Sequence, residues 1–304
     1  MRTMDNHINK QQQTIVRTLE VTEICGLLEF LLEKFKDINK NKIKRTLSNK
    51  LVCINGKVVS QFDYQLVPGM KVSILRRTDS LIENPYISLI YEDPWIIVIN
   101  KKPGILSMQS DHHSFCVKTL LDNYFRRKHT NCTAHVVHRL DRETSGLMVF
   151  AKDTKVQQIL ENNWHDLVKD RRYIAVVSGK MEHQNGTIRS WLKDDKFFYT
   201  FSSPIDNGGK LAITHFETKD ICENYSLVEL KLETGRKNQI RVHLQTLQHP
   251  VIGDYKYGFE GDDPIKRLGL HAFRLFFIHP VTHKFMEFET PYPTPFLNIF
   301  KNSH

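Results

Sequence analysis

Residues 138–152 read HRLDRETSGLMVFAK, a charged loop running into an apolar segment. Thr144-Ser145-Gly146 carries turn chemistry, and Leu147 to Phe150 is a short apolar run suited to a buried strand. The stretch therefore reads as a loop feeding a strand. One carboxylate stands out there. Asp141 lies between Arg139 and Arg142, and in a cleft it would stay ionised beside those cations, available as nucleophile or base. Residue chemistry alone favours a plainer reading, an arginine-paired loop aspartate, because structural ion pairs perturb carboxylates too.

Around this junction the chain has 304 residues, enough for a substantial core and for two domains, one of them small. A net charge of +9 favours a polyanionic partner, since Lys and Arg gain affinity by displacing counterions from phosphates. The five cysteines (Cys25, Cys53, Cys116, Cys132, Cys222) are odd in number and form no CxxC pair, which argues against a disulfide framework and a zinc site and points to buried free thiols. His112, His113, His135 and His138 lack a carboxylate or Cys at familiar spacing, so no metal is expected. No apolar run spans a bilayer and the polar start lacks a signal-peptide core, so no membrane association and a cytoplasmic location are expected.

N-terminal to the junction, residues 1–14 are polar and Gln-rich and predict a flexible start. Leu27, Leu28, Phe30, Leu31, Leu32 and Phe35 have helical spacing, and Ile43 to Leu47 continues in a second short amphipathic helix. LVCING (51–56) turns at Asn55-Gly56 into KVV, and Pro68-Gly69 leads to MKVSIL, so short strands follow. Lys34, Lys36, Lys40, Lys42, Lys44, Arg45 and Lys50 face a single acid, Asp37, across positions 34–50. That cluster is either a phosphate grip or a solvated helix face. Residues 76–86 are polar and end in Asn84-Pro85, which suits a linker. ISLIYEDPWIIVINKKPG (87–104) then shows two β-rich runs around a turn, with Lys101 and Lys102 read as fold or phosphate elements.

On the C-terminal side, Asp153-Thr154 caps a helix whose apolar face takes in Val156, Ile159, Leu160, Asn163 or Trp164, and Leu167. RRYIAVVSG (171–179) is a strand, and Tyr173 in it reads first as a half-buried strand tyrosine. LETGRKNQIRVHLQTLQHPVIGDYKYG (232–258) has a turn at Thr234-Gly235-Arg236 and a helix opening at Gln239, whose N-terminus can face an anion. Arg236 and Arg241 could hold phosphates or a carboxylate there. GLHAFRLFFIHP and TPYP, within 269–294, supply closing strands.

HRLDRETSG resembles the signature of RluA-type pseudouridine synthases, in which the Asp of HRLD is the nucleophile. Further segments resemble the same family in the same order. ISLIYEDPWIIVINKKPG is similar to its first motif, Arg172-Tyr173-Ile174-Ala175 to its Lys/Arg-Tyr-x-Ala motif, GGKLAITHFET to its Lys-x-Ala-x-Thr strand, and TGRKNQIRVH to Thr-Gly-Arg-x-x-Gln-Ile-Arg-Val-His. The usual Thr-His of the last motif is Lys237-Asn238 here, a departure that could alter RNA contacts. GLHAFRLFFIHP resembles the Leu-His-Ala and His-Pro ending, so the likeness covers about residues 25–296. The order helix, basic helix, LVCINGKVV, VPGMKVSI resembles the small RNA-binding module named after ribosomal protein S-four, although the usual Ser-Arg of its second helix is Lys40-Asn41 and its usual Gly-Asp is Gly69-Met70.

The resemblance implies an α+β catalytic domain built on a mixed, largely antiparallel sheet with flanking helices, preceded by a small α/β RNA-binding domain. The expected boundaries are a flexible 1–14, a small domain 15–78, a linker 79–86 and a catalytic domain 87–304. It implies an isomerase that converts specific uridines to pseudouridine without cofactor, ATP or metal. Asp141 would be the nucleophile, Arg241 its ion-pair partner, and Tyr173 the ring against the target base and an acceptor for the final proton. Arg139 would fill the space of a flipped-out uridine, with Arg142, Arg236, Lys42, Lys44 and Arg45 as further RNA contacts. Large-subunit ribosomal RNA is the leading substrate, transfer RNA the second, and a monomer the default. Two rivals stand beside it. One is an inactive RNA-binding ribosome-assembly factor. The other is a nucleoside hydrolase that would need a second carboxylate, for which Glu143 is the near candidate.

Overall fold

Apolar residues three and four apart, as between Leu27 and Leu31, form helices here, and alternating β-branched runs form strands; the chain divides into two compact units, residues 1–81 and 82–304. The computed structural model describes residues 13–36, 38–48, 51–77, 84–110 and 114–301. Lys50, Asp37, His112, His113 and most of the predicted linker (79–83) fall outside them, as do residues 1–12 of the predicted tail.

The first unit runs β1 (Gln13–Glu20), β2 (Cys25–Gly26), α1 (Leu27–Lys34), α2 (Lys40–Ser48), β3 (Val52–Ile54), β4 (Lys57–Val58), β5 (Gln65–Leu66) and β6 (Lys71–Arg77). Leu27, Phe30 and Leu31 of α1 and Ile43 and Leu47 of α2 pack with Val52, Ile54, Leu66 and Val72 in one core. The main sheet has the order β1-β6-β3-β4. Asn55 and Gly56 both take positive φ, 48° and 81°, as a two-residue hairpin turn requires. Strand β1 was not expected. Gln13 and Thr14, assigned to a flexible tail, pair with Arg77 and Arg76 of β6, a ladder between chain segments too far apart for local propensity to reveal.

The second unit opens with β7 (Ile87–Glu92), β8 (Ile96–Lys101), α3 (Val117–Arg127), β9 (His135–Val136), β10 (Ser145–Ala151), α4 (Thr154–Asn162) and α5 (Trp164–Leu167). It continues with β11 (Val168–Ser178), β12 (Asn185–Asp194), β13 (Thr200–Ser203), β14 (Lys210–Ile221), β15 (Tyr225–Leu232), α6 (Gln239–Thr246), β16 (Leu270–Ile278), β17 (Phe285–Glu289) and α7 (Thr294–Asn298). One sheet runs β13-β12-β14-β15-β11-β16-β10-β8-β7, with β17 added on β16 and β9 on β10. Its ladders are antiparallel except β10 with β16, so it is the mixed, largely antiparallel sheet expected.

Strand β10 is buried along its whole length and explains why the junction reads as it does. Met148 and Phe150 point into one hydrophobic cluster, Leu147, Val149 and Ala151 into another, so the apolar run is continuous because both faces are covered. Gly146 makes the parallel crossing possible. It sits at φ 127° opposite Ala272, and a Cβ there would lie 2.2 Å from the Ala272 carbonyl oxygen.

Three expectations change. The helix after Asp153 is capped as read, the Asp153 carboxylate accepting from the Val156 N–H at 2.8 Å, but it stops at Asn162; Ile159 is exposed and the buried face is Val156 and Leu160. TPYP lies outside the strands, since β17 ends at Glu289 and Pro293 is the N-cap of α7. The thiols are free, but only Cys53 and Cys116 are buried; Cys25, Cys132 and Cys222 are partly exposed.

Candidate active site

The loop between β9 and β10 is clamped on both sides of Asp141. The Ser107 hydroxyl donates to the Leu140 carbonyl at 2.7 Å and accepts from the Leu140 N–H at 3.1 Å. The Arg142 carbonyl accepts from the Lys101 ammonium at 2.9 Å and from the Gly104 N–H at 2.9 Å. With its neighbours' backbone fixed, Asp141 turns a carboxylate that is 35% exposed outward. His138 completes the support: its Nε2 accepts from the Val149 N–H at 3.0 Å, and its ring lies 4.9 Å from Trp164. Burial, with Arg171 adding to it, pulls the His138 pKa down to about 3, so the ring stays a neutral acceptor.

Lys101 takes the first of its two readings. Its ammonium is fully buried and donates to the carbonyls of Lys102, Ile105 and Arg142 at 3.0, 2.9 and 2.9 Å, which leaves it no phosphate to hold. It is a fold element, tying the end of β8 to the Asp141 loop. Burial pulls its pKa down to about 7, while Glu143 and Asp141 oppose the shift.

Arg241, on α6, reaches the same point. Its Nη1 donates to Asp141 Oδ2 at 3.2 Å and to Asn238 Oδ1 at 2.9 Å. Its Nε and Nη2 donate to the two oxygens of Asp254 at 2.6 and 2.7 Å, a bidentate pair with a carboxylate that is only 1% exposed. Its guanidinium lies over the Tyr257 ring, 4.8 Å from the centroid. Burial works against the charge, yet the hydrogen bonds and charge of Asp254, with Asp141, outweigh it and push the Arg241 pKa up. Helix α6 is seated by Gln239, whose amide donates to the Ile213 carbonyl and to the Thr214 hydroxyl while its oxygen accepts from Thr234 and from the Arg236 N–H.

Asn238 shows what the departure at Lys237-Asn238 does. It takes φ 54°, a region Asn tolerates, and its amide donates to the Tyr257 hydroxyl at 2.9 Å and to Thr200 Oγ1 at 3.3 Å. The residue braces Arg241 from within the protein.

Tyr173, on β11, is 8% exposed; burial pushes its pKa up, Arg171 opposing and Asp141 adding to the rise. Arg139, Arg142 and Arg236 are exposed around these residues: Arg142 Nε donates to the Gly104 carbonyl at 3.2 Å and Arg236 Nε to the Leu211 carbonyl at 2.9 Å. Lys42, Lys44 and Arg45 project from α2 of the first unit, all exposed.

Sequence reasoning missed Asp254, Asn238 and Tyr257. A signal for Asp254 existed: within 232–258 it is, with Glu233, one of two carboxylates in a stretch that contains Arg236, Lys237, Arg241 and Lys256. Among the described residues, no group of three or more His, Cys, Asp or Glu side chains is arranged to hold a metal, and no helix is long and apolar enough to cross a membrane. What the site offers chemically is a partly exposed carboxylate, oriented by a buried guanidinium that is itself held by Asp254 and packed on the Tyr257 ring.

Comparison with known proteins matches residues 95–246 to the family model described as RNA pseudouridylate synthase. A Bacillus subtilis protein described as an uncharacterized RNA pseudouridine synthase, YlyB, is 31% identical over 90% of this chain and 92% of its own. A Pasteurella multocida protein named ribosomal large subunit pseudouridine synthase D is 31% identical over 95% of this chain and 94% of its own. Among solved structures, human RNA pseudouridylate synthase domain containing 1 superposes with a TM-score of 0.56 at 24% identity, covering 67% of this chain and 83% of that one, a likeness of fold.

Proposed function

This chain belongs to the RNA pseudouridylate synthase family, and on that premise we propose that it isomerises specific uridines of large-subunit ribosomal RNA with Asp141 as the nucleophile. The observation that carries the catalytic assignment is the Asp141–Arg241 contact at 3.2 Å, made across 100 residues of sequence by the two side chains the resemblance pairs. The substrate follows from the Pasteurella relative, whose name assigns it to the large ribosomal subunit and which matches along nearly the whole chain.

In the reaction the bond from the ribose anomeric carbon to N1 of uracil breaks and a bond to C5 forms, after which C5 loses its proton. Asp141 either adds to the anomeric carbon or assists its loss to a glycal while the detached uracil turns. Arg241 orients the carboxylate and is itself neutralised by Asp254, so the site does not rest on an unpaired buried charge. Tyr173 stacks on the base, the role the resemblance gives it. A uridine within a helix must be flipped out to reach the site, and exposed Arg139 fills the vacated space. Arg142 and Arg236, with Lys42, Lys44 and Arg45 of the first unit, hold backbone phosphates. The protein acts as a cytoplasmic monomer.

The test is to incubate the purified protein with unmodified ribosomal RNA, without cofactor, and map pseudouridine by chemical adduct sequencing, with Asp141→Ala in parallel. New pseudouridine with wild type and none with the variant is expected. RNA binding with every uridine unchanged would leave an RNA-binding factor without chemistry, and free uracil would indicate a hydrolase.

A further inference from the structure

Two large apolar rings stand in solvent at the tip of the β12–β13 hairpin: Phe197 is 76% exposed and Phe198 74%. The tip is built, not frayed. Asp195 Oδ1 accepts from the N–H groups of Phe197 and Tyr199, both at 2.8 Å, and the Asp195 N–H donates to the Tyr199 carbonyl at 2.9 Å. Phe198 takes φ 60° in this turn, a left-handed conformation that favours Gly or Asn and is strained for a bulky side chain. A phenyl ring at such a position, in water, calls for a use outside the fold.

The surroundings say which kind. Lys196 Nζ lies 5.1 Å from the centre of the Phe197 ring and Lys237 Nζ 5.6 Å from that of Phe198. Lys237 and Lys256 both donate to the Phe198 carbonyl, at 3.2 and 3.3 Å. Lys193, Lys196, Lys237 and Lys256 outnumber the acids of the tip, Asp194 and Asp195; Asp195 is occupied in capping the turn and Asp194 holds Lys237 and Thr200. Exposed rings interleaved with cations suit a ligand that is flat, apolar on its faces and negatively charged between them.

The tip is also wired to the active site. The Tyr257 hydroxyl accepts from the Thr200 N–H at 3.3 Å and from Asn238, and Asn238 in turn braces Arg241, which holds Asp141. We propose that Phe197 and Phe198 form a stacking platform for unpaired bases of the RNA that neighbour the target uridine, with Lys196 and Lys256 engaging the intervening phosphates. The inference rests on the RNA-directed activity above and adds the surface that receives the strand on the α6 side of the site.

The full chain is titrated into a fluorescein-labelled single-stranded oligouridine as wild type, as F197A/F198A and as K196A/K256A, at several salt concentrations. The phenylalanine variant is expected to bind more weakly, by about tenfold for each ring, with the salt dependence of wild type. The lysine variant is expected to lower the slope of log affinity against log salt by about 1.4, the share of two phosphate contacts on a single strand. A single-residue reporter, F197W, is expected to keep its affinity and to have its tryptophan emission quenched by the RNA, a response that a merely structural role would not produce. Wild-type affinity in F197A/F198A, or tryptophan emission indifferent to saturating RNA, would overturn the proposal and leave the tip as a protein-docking surface. These readouts need no turnover. If the wild type formed no pseudouridine on any RNA while the phenylalanine variant lost binding, the activity would fall and the platform would stand.

Discussion

Arg241 and Arg45 are the same side chain put to opposite uses. The Arg241 side chain is 14% exposed and every face is taken, by Asp254, Asp141, Asn238 and the ring of Tyr257. Arg45 stands in solvent on α2 with no ion pair among the described residues, beside exposed Lys42 and Lys44. A buried, fully partnered guanidinium fixes geometry, and its charge acts over a few ångströms. An exposed, unpartnered one contributes to a field that reaches about a Debye length, roughly 8 Å at physiological salt. One sets where a carboxylate points; the other raises the local concentration of a polyanion. Basic charge counted along the sequence cannot separate these uses, but burial does.

The largest effects belong to the buried side, and they divide between the two carboxylates Arg241 holds. Asp254→Asn keeps shape and removes charge, which leaves a desolvated guanidinium with a single carboxylate partner, at 3.2 Å; the expected cost is about 3 kcal/mol, read as a lower midpoint in urea denaturation. Asp141→Asn, at a carboxylate 35% exposed, is expected to cost about 1 kcal/mol or less in the same experiment. In pseudouridine formation the order reverses: Asp141→Asn loses activity by on the order of a thousandfold or more, while Asp254→Asn retains a measurable rate. Equal stability losses would mean that Asp254 does not carry the balancing charge.

That crossed pattern also marks what was legible in the sequence. Asp141 and Arg241 could be paired in advance because short motifs hold them in register, and the continuous apolar run Leu147–Phe150 announced a buried strand. Asp254 and Tyr257 could not be named in that way. Their roles exist only once α6 and the turn after it fold back on each other, and a lone Asp after Gly253 reads as turn chemistry. Strand β1 was hidden for the same reason, since its partner β6 lies some fifty residues on. Lys101 could be read only as a fold or a phosphate element, because a lysine near a Pro-Gly turn is ordinarily exposed and only the packing shows it enclosed by carbonyls.

A smaller effect tests the buried side through pH. His243, also on α6, is fully buried between Ser190 and Thr214, at 3.0 and 2.9 Å, and burial pulls its pKa down to about 4. The unfolded chain, with an ordinary histidine pKa near 6.5, binds the proton first. The stabilisation is therefore complete above about 6.5 and is lost as pH falls from there toward about 4, at up to about 1.4 kcal/mol per pH unit. His138 and His271, both pulled down to about 3 by burial, add slopes of the same sign. His243→Gln is expected to flatten the acid limb of stability against pH by about one proton, measured by urea denaturation at pH 7 and pH 5. An unchanged limb would show that the ring is reached by solvent.

The smallest effect is expected on the exposed side, and its form matters more than its size. The variant K42A/K44A/R45A removes three cations that contact no acid among the described residues, so its unfolding midpoint should match wild type to within about 0.5 kcal/mol. RNA affinity should fall several-fold at low salt, and the slope of log affinity against log salt should decrease by about 2, the share of three phosphate contacts on a single strand. At saturating RNA the single-turnover rate of pseudouridine formation should be that of wild type, because a field that concentrates substrate adds nothing once the site is filled. Arg241→Lys should do the reverse, slowing the saturated rate and leaving the salt slope alone, since an ammonium cannot serve Asp254 and Asp141 as the guanidinium fork does. A triple variant that slowed the saturated rate would assign α2 to positioning the RNA, and the distinction between field and geometry would then fail at the helix where it is most exposed.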